Sequence, residues 1–262
     1  MKLNKLDNLI ELFFHQAQKQ KSNSIFLEWI NSKNNKSLTW SETEVAIWRF
    51  NKILKQYVKE GDRCLLISEN RPEWLIADIA IMLSGAITVP AYTTYTESDY
   101  KYLIEDCEPS ILIISNNDLH KKLKKTIEEK VFIKKVITFE KINDAAFNKS
   151  YIDLDSINKI KLLEKDKIKN ANLKRNSPAC IIYTSGTSGN PKGVILSHGG
   201  ILSNCEGAIE ILNPIIDKKP TFLTWLPLSH SYEHTVQFVQ IAVGAKVFYA
   251  EKIEKLLDNI SE

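Results

Sequence analysis

Eleven consecutive residues, Tyr183-Thr184-Ser185-Gly186-Thr187-Ser188-Gly189-Asn190-Pro191-Lys192-Gly193, gather the groups best suited to holding an anion. Thr184, Ser185, Thr187 and Ser188 supply hydroxyls, and Lys192 supplies a mobile positive charge. Gly186 and Gly189 let the backbone approach a ligand with no Cβ in the way. Successive N–H groups and hydroxyls of this kind cradle phosphate oxygens, with the lysine acting as a point charge. A Walker loop would need Ser or Thr directly after its lysine and a helix starting there. Here Gly193 follows Lys192, and then come Val194 and Ile195, β-branched residues that favour a strand. Apolar runs at 179–182 and 194–196 flank the loop, so the segment reads as strand, loop, strand. By composition alone the same residues would also suit a Gly/Ser surface hairpin.

A second string, Trp225-Leu226-Pro227-Leu228-Ser229-His230-Ser231-Tyr232-Glu233, places His230 just past an apolar run that reads as a strand. Strand exits are where sites collect in α/β sheets. Ser197, ahead of His198, reads as a helix N-cap. Three more segments complete a pattern in chain order. They are Ser37-Leu38-Thr39-Trp40-Ser41-Glu42, then Gly61-Asp62-Arg63-Cys64 running on to Asn70-Arg71-Pro72-Glu73-Trp74, and Ser84-Gly85-Ala86-Ile87-Thr88-Val89-Pro90. Together these strings resemble the adenylate-forming superfamily, which includes acyl-CoA synthetases, luciferases and non-ribosomal peptide adenylation domains. The Leu-Pro-Leu-Ser-His-Ser-Tyr-Glu form is the one that long-chain fatty acyl-CoA synthetases favour.

The resemblance implies a two-step reaction. A carboxylate attacks the α-phosphate of ATP to give an acyl-adenylate and pyrophosphate, and the thiolate of coenzyme A then displaces AMP. An anion must approach a polyanion, so cations, Mg2+ and fixed N–H dipoles must meet the charge as it develops. Thr184, Ser185, Gly186, Thr187, Ser188, Gly189 and Lys192 match the family loop that does this for the β- and γ-phosphates. Thr184 matches the position whose hydroxyl lies near magnesium, and Ser188 keeps a hydroxyl where many relatives have threonine. His230 matches a histidine bordering the acyl and adenylate pocket, which makes Lys192 and His230 the candidate catalytic residues. Trp225 and Tyr232 would either shape an acyl tunnel or pack in the core, and Glu233 matches a family glutamate. The family's Tyr-Gly-x-Thr-Glu and Thr-Gly-Asp segments do not occur in these 262 residues, nor do its hinge and mobile C-terminal domain. The resemblance thus implies the N-terminal portion of the large adenylate-forming domain, without autonomous catalysis, needing a C-terminal half or a complementing chain. The other class of function is a non-catalytic remnant or a nucleotide-phosphate-binding module, and the intact mass of the native protein separates the two.

The elements that must position these residues read as α/β. Leu3, Leu6, Ile10, Phe13, Phe14 and Ala17 form one apolar stripe at helical spacing. Residues 75–89 are the most hydrophobic stretch, interrupted by Asp78 and Gly85 and ended by Pro90. They are too short to span a membrane and read as a buried helix running into a strand. Runs at 111–114 and 136–139 are of buried-strand type, and the charge-rich segment 121–135 between them has helical spacing. The polar segment 141–176 reads as a surface connection with a short helix around 160–163. Alternating strands and helices argue for a mostly parallel sheet covered on both faces. The expected organisation is a first α/β subdomain with its connector at 1–175, and the start of a second at 176–262.

Composition excludes other classes. The formal net charge is +3 and only four basic residues are arginine, a poor signature for nucleic-acid binding. Cys64, Cys107, Cys180 and Cys205 are far apart with no C-x-x-C, which suits a reducing cytoplasm rather than a zinc site or disulfide framework. Fatty acid substrates partition into bilayers, which leaves peripheral membrane contact open.

Overall fold

The computed structural model describes residues 2–29, 36–142, 144, 151–184, 190–216 and 219–250. The chain forms the mostly parallel α/β architecture that the alternation of elements implies. Seven strands make the larger sheet: β3 (Arg63–Ile67), β4 (Ile87–Ala91), β5 (Ile111–Ile114), β6 (Lys135–Thr138), β7 (Tyr151–Asp153), β8 (Pro178–Thr184) and β9 (Lys192–Ser197). Their order is β7-β6-β5-β3-β4-β8-β9, parallel throughout except for the antiparallel β8–β9 pair. A second sheet joins β1 (Ile25–Trp29) and β2 (Lys36–Thr39) to β10 (Thr221–Thr224) and β11 (Lys246–Tyr249), in the order β10-β11-β1-β2. Each sheet therefore takes strands from both sides of residue 175.

Successive side chains of β3 feed opposite faces, as the two-residue period of a strand requires. Cys64 and Leu66 pack with α1 (Leu9–Ala17), α2 (Trp40–Leu54) and α3 (Pro72–Leu83). Leu65 and Ile67 pack with α4 (Glu97–Cys107) and α5 (Asn117–Glu129). Every residue of α3 is buried, so the apolar stretch is a central helix between the two sheets. Pro72 sits in its first turn, where no intrahelical N–H is lost. Gly85 ends the helix at φ 84°, and the N–H of Gly61, at φ 80°, donates to its carbonyl at 2.9 Å. These two positions need glycine for its left-handed backbone. Thr39 and Glu42 form a capping box that starts α2 directly from β2.

Two expectations are corrected. The N-terminal stripe is not one helix: a 3-10 turn covers Leu3–Lys5 and α1 begins only at Leu9. Asn8 adopts an extended backbone, accepts from the N–H of Glu11 at 2.9 Å and donates to the carbonyl of Leu173 at 3.0 Å. Its side chain thereby replaces one helical turn. In the 141–176 segment the short helix is α6 (Leu154–Asn158), capped by Asp153, and 160–163 is not helical. The carbonyls of Ile160, Lys161 and Ile168 instead accept from Arg49, Lys52 and Trp48 of α2. The connection is therefore bound along α2 rather than laid loosely over the surface.

Candidate active site

β8 and β9 bring the two ends of the glycine-rich loop together. Tyr183 faces Gly193 and Thr184 faces Lys192 across the antiparallel pair, with Thr184 and Lys192 both exposed at its open end. Ser185, Gly186, Thr187, Ser188 and Gly189 lie outside the described residues. Gly193 is required by close approach: a Cβ there would lie 2.8 Å from Cγ2 of Ile181 and 3.3 Å from Cζ of Tyr183. The Tyr183 ring thus rests across the glycine opposite it.

His230 is the N-cap of α8 (Ser231–Ala242), and its Nδ1 accepts from the N–H of Tyr232 at 3.2 Å. Its ring borders a cavity of about 670 Å³ that Thr184, Asn190, Tyr92, Tyr95 and Ser231 also line. The turn that delivers His230 is fixed from a distance by Asn70, in the loop between β3 and α3. Nδ2 of Asn70 donates to the carbonyl of Leu226 at 2.6 Å, and its Oδ1 accepts from the N–H of Leu228 at 3.0 Å. One amide so satisfies both polar groups of an irregular backbone stretch, the role Asn is built for. Asn70 belongs to a string singled out in the sequence, but nothing local shows that it reaches the 225–230 turn.

Trp225 and Tyr232 are both exposed, at 43% and 62%, so neither is a core residue. Tyr232 lines a second cavity of about 700 Å³ with Leu196, Leu212, Phe222, Val236 and Val239. Ser231 lines this cavity as well as the first. Glu233 is buried, and burial pushes its carboxyl up to about 7 against the opposing hydrogen bond from Thr224.

Behind this rim lies a buried polar junction. Nε2 of His234 pairs with Oδ2 of Asp78 at 2.8 Å, both side chains almost fully enclosed, and the His234 ring meets Trp74 edge-on. Burial opposes charging of His234, but the Asp78 carboxylate beside it prevails and holds the imidazole well above its ordinary pKa. His198, the first residue of α7 (His198–Leu212), follows the N-cap Ser197 as its sequence predicts. It accepts at Nδ1 from the N–H of Leu9 at 3.3 Å, and burial lowers its pKa to about 4. All four cysteines are free and buried. Among the described residues no helix is long and apolar enough to cross a membrane.

A doubly covered, mostly parallel sheet, with the stems of the glycine-rich segment and a histidine-bearing turn lining one cavity, defines an α/β protein with a candidate site at that cavity. The family described as AMP-binding enzyme matches residues 13–262, and the chain belongs to it. Fatty acyl-CoA synthetase A of Dictyostelium discoideum is 28% identical over 232 residues, covering 84% of this chain and 34% of its own length. The human long-chain-fatty-acid–CoA ligase 1 is 26% identical, covering 74% and 29% respectively. Among solved structures, ATP-bound MatB from Rhodopseudomonas palustris superposes with a TM-score of 0.78 at 20% identity, over 98% of this chain and 48% of that one. The luciferase-like enzyme of the Zophobas morio mealworm gives 0.83 at 19%, over 99% and 58%. At such identities these structures speak for the fold. The chain spans about a third of the length of the curated relatives it matches.

Proposed function

We propose that this chain forms the polyphosphate- and acid-binding face of an ATP-dependent ligase that activates long-chain fatty acids to acyl-CoA. The observation that carries the reading is the shared cavity. Thr184, held opposite Lys192 at the mouth of the loop, and His230 both face the same space of about 670 Å³. Lys192, with the hydroxyls and N–H groups of residues 184–189, would hold the β- and γ-phosphates while the substrate carboxylate attacks the α-phosphorus and pyrophosphate leaves. Thr184 offers a hard oxygen of the kind magnesium prefers. Among the described residues no group of three or more His, Cys, Asp or Glu could hold a metal ion unaided. In this reading magnesium would arrive with the nucleotide and neutralise phosphate charge there. The second, apolar cavity begins at Ser231, beside His230, and its aliphatic and aromatic lining suits an acyl chain. Coenzyme A is the acceptor this reading requires.

The test is fatty-acid-dependent exchange of pyrophosphate into ATP by the intact protein, comparing a long-chain acid with medium-chain and aryl acids. Lys192→Ala is expected to lower the exchange rate by about 10²-fold, with an unchanged circular-dichroism melt. Unchanged kinetics in that variant would remove the phosphate-loop assignment. Preference for an aryl acid would remove the acyl-chain assignment and leave the adenylation chemistry standing.

A further inference from the structure

α4 carries two polar side chains one helical turn apart, Tyr102 and Asp106; one grips the residue just before β9 and the other grips β8. The Tyr102 hydroxyl donates to the carbonyl of Pro191 at 2.9 Å. The Asp106 carboxylate accepts a hydrogen bond from the Tyr183 hydroxyl. Tyr183 immediately precedes Thr184 and Pro191 immediately precedes Lys192, so one helix holds both stems at the residues just before the two candidate phosphate ligands. An i, i+4 pair lies on one face of a helix, which is why a single rigid element reaches both strands.

α4 is itself well fixed. A capping box of Thr96 and Asp99 starts it, and Tyr100, Leu103, Ile104 and Cys107 bury it against the sheet. The Tyr100 hydroxyl donates to the carbonyl of Tyr92 at 2.7 Å, tying the helix to the end of β4. The strand pair it holds has no such intrinsic security. Thr184 and Lys192 form the last pair of the ladder, and terminal pairs of that kind fray at little cost. A displacement of an ångström at a phosphate ligand is enough to lower a rate severely.

We propose that Tyr102 and Asp106 are positioning residues that hold Thr184 and Lys192 in the register a polyphosphate requires, an inference that rests on the ATP-dependent reading above. Tyr102 also borders the cavity of about 670 Å³, whereas Asp106 lies outside its lining and acts only through Tyr183.

Two measurements on the intact protein test it. In the absence of nucleotide, hydrogen exchange of amides in 190–194 is expected to speed up by at least about fivefold in Tyr102→Phe and in Asp106→Leu. Amides of β3 and β5 should exchange as before. In steady-state exchange of pyrophosphate into ATP, both variants should raise KM for MgATP by at least about fivefold while KM for the fatty acid stays within about twofold. Asp106→Asn keeps an acceptor for the Tyr183 hydroxyl and should restore both readouts. Unaltered exchange in 190–194 would overturn the clamp. So would loosened stems with an unchanged KM for MgATP, or a uniform rise in exchange across the sheet, which would mark a packing role only. If the stems loosen but the wild-type protein shows no ATP affinity by calorimetry, the ATP-dependent reading fails, and the positioning role for a polyphosphate fails with it.

Discussion

The helices α7 and α8 begin with similar words, Ser-His-Gly-Gly and Ser-His-Ser-Tyr, yet their histidines live in opposite surroundings. His198 is enclosed and takes the backbone N–H of Leu9. His230 is exposed on a cavity wall and caps its own helix. One turn further along α8, His234 is again enclosed, paired with Asp78. The back of this helix pair is thus a dry polar junction that fixes where the helices sit, and the front is a wet rim able to meet a ligand. Residue type and local sequence do not separate the two roles; burial and partner do.

The sharpest way to break the contrast is to remove Asp78. That would leave the buried His234 ring without its partner, and losing one member of an enclosed pair typically costs about 3 to 5 kcal/mol. Urea denaturation of Asp78→Ala should show a loss of that order. Replacing both partners with apolar side chains of similar volume should recover most of it. A loss under about 1 kcal/mol would mean the junction is hydrated and no different from the rim.

The next largest effect is a pH dependence. The folded pKa of His198, about 4, lies below its ordinary value of 6.5, so the unfolded chain holds the extra proton between those limits. Its contribution is complete above pH 6.5 and is lost as the pH falls toward 4, by roughly 3 kcal/mol in all. His234 has the opposite sign: its folded pKa is raised, so its contribution is present below the unfolded value and is lost as the pH rises through the folded one. Denaturation curves at pH 7.5, 5.5 and 4.5 would separate the wild type from His198→Asn, whose Oδ1 can still accept from Leu9. Equal acid slopes in the two proteins would show that His198 is not held neutral by the fold.

How far this was legible in the sequence follows from the range of each signal. The loop stems, the Thr39 and Glu42 cap, the buried α3 and the glycines at 61 and 85 each announce themselves within a few residues. The partners of buried polar groups do not. Asp78 is visible as a carboxylate in the most apolar stretch of the chain, but the cation that justifies it lies 156 residues away. Asn70 likewise reaches across 156 residues to the turn before His230. The two local misreadings have the same origin. The stripe at 3–17 fits a helix until Asn8 finds Leu173, and 160–163 is drawn straight by side chains of α2. In each case a long-range hydrogen bond overrides a local preference that is worth only tenths of a kcal/mol per residue.

The smallest expected change in stability belongs to a residue whose loss should still be plain in function. His230→Ala deletes an exposed ring and one capping bond of 3.2 Å. Lost caps cost about 0.5 to 1 kcal/mol, which in a chain of this size moves the melting temperature by only a few degrees. If the rim meets substrate as the shared cavity suggests, fatty-acid-dependent exchange of pyrophosphate into ATP should nonetheless fall by at least about tenfold. His198→Asn should show the reverse, near-normal exchange at pH 7.5 with altered acid stability. Should His230→Ala instead unfold the protein while leaving its residual specific activity intact, the histidine is a structural cap. Front and back of the helix pair would then serve the same purpose.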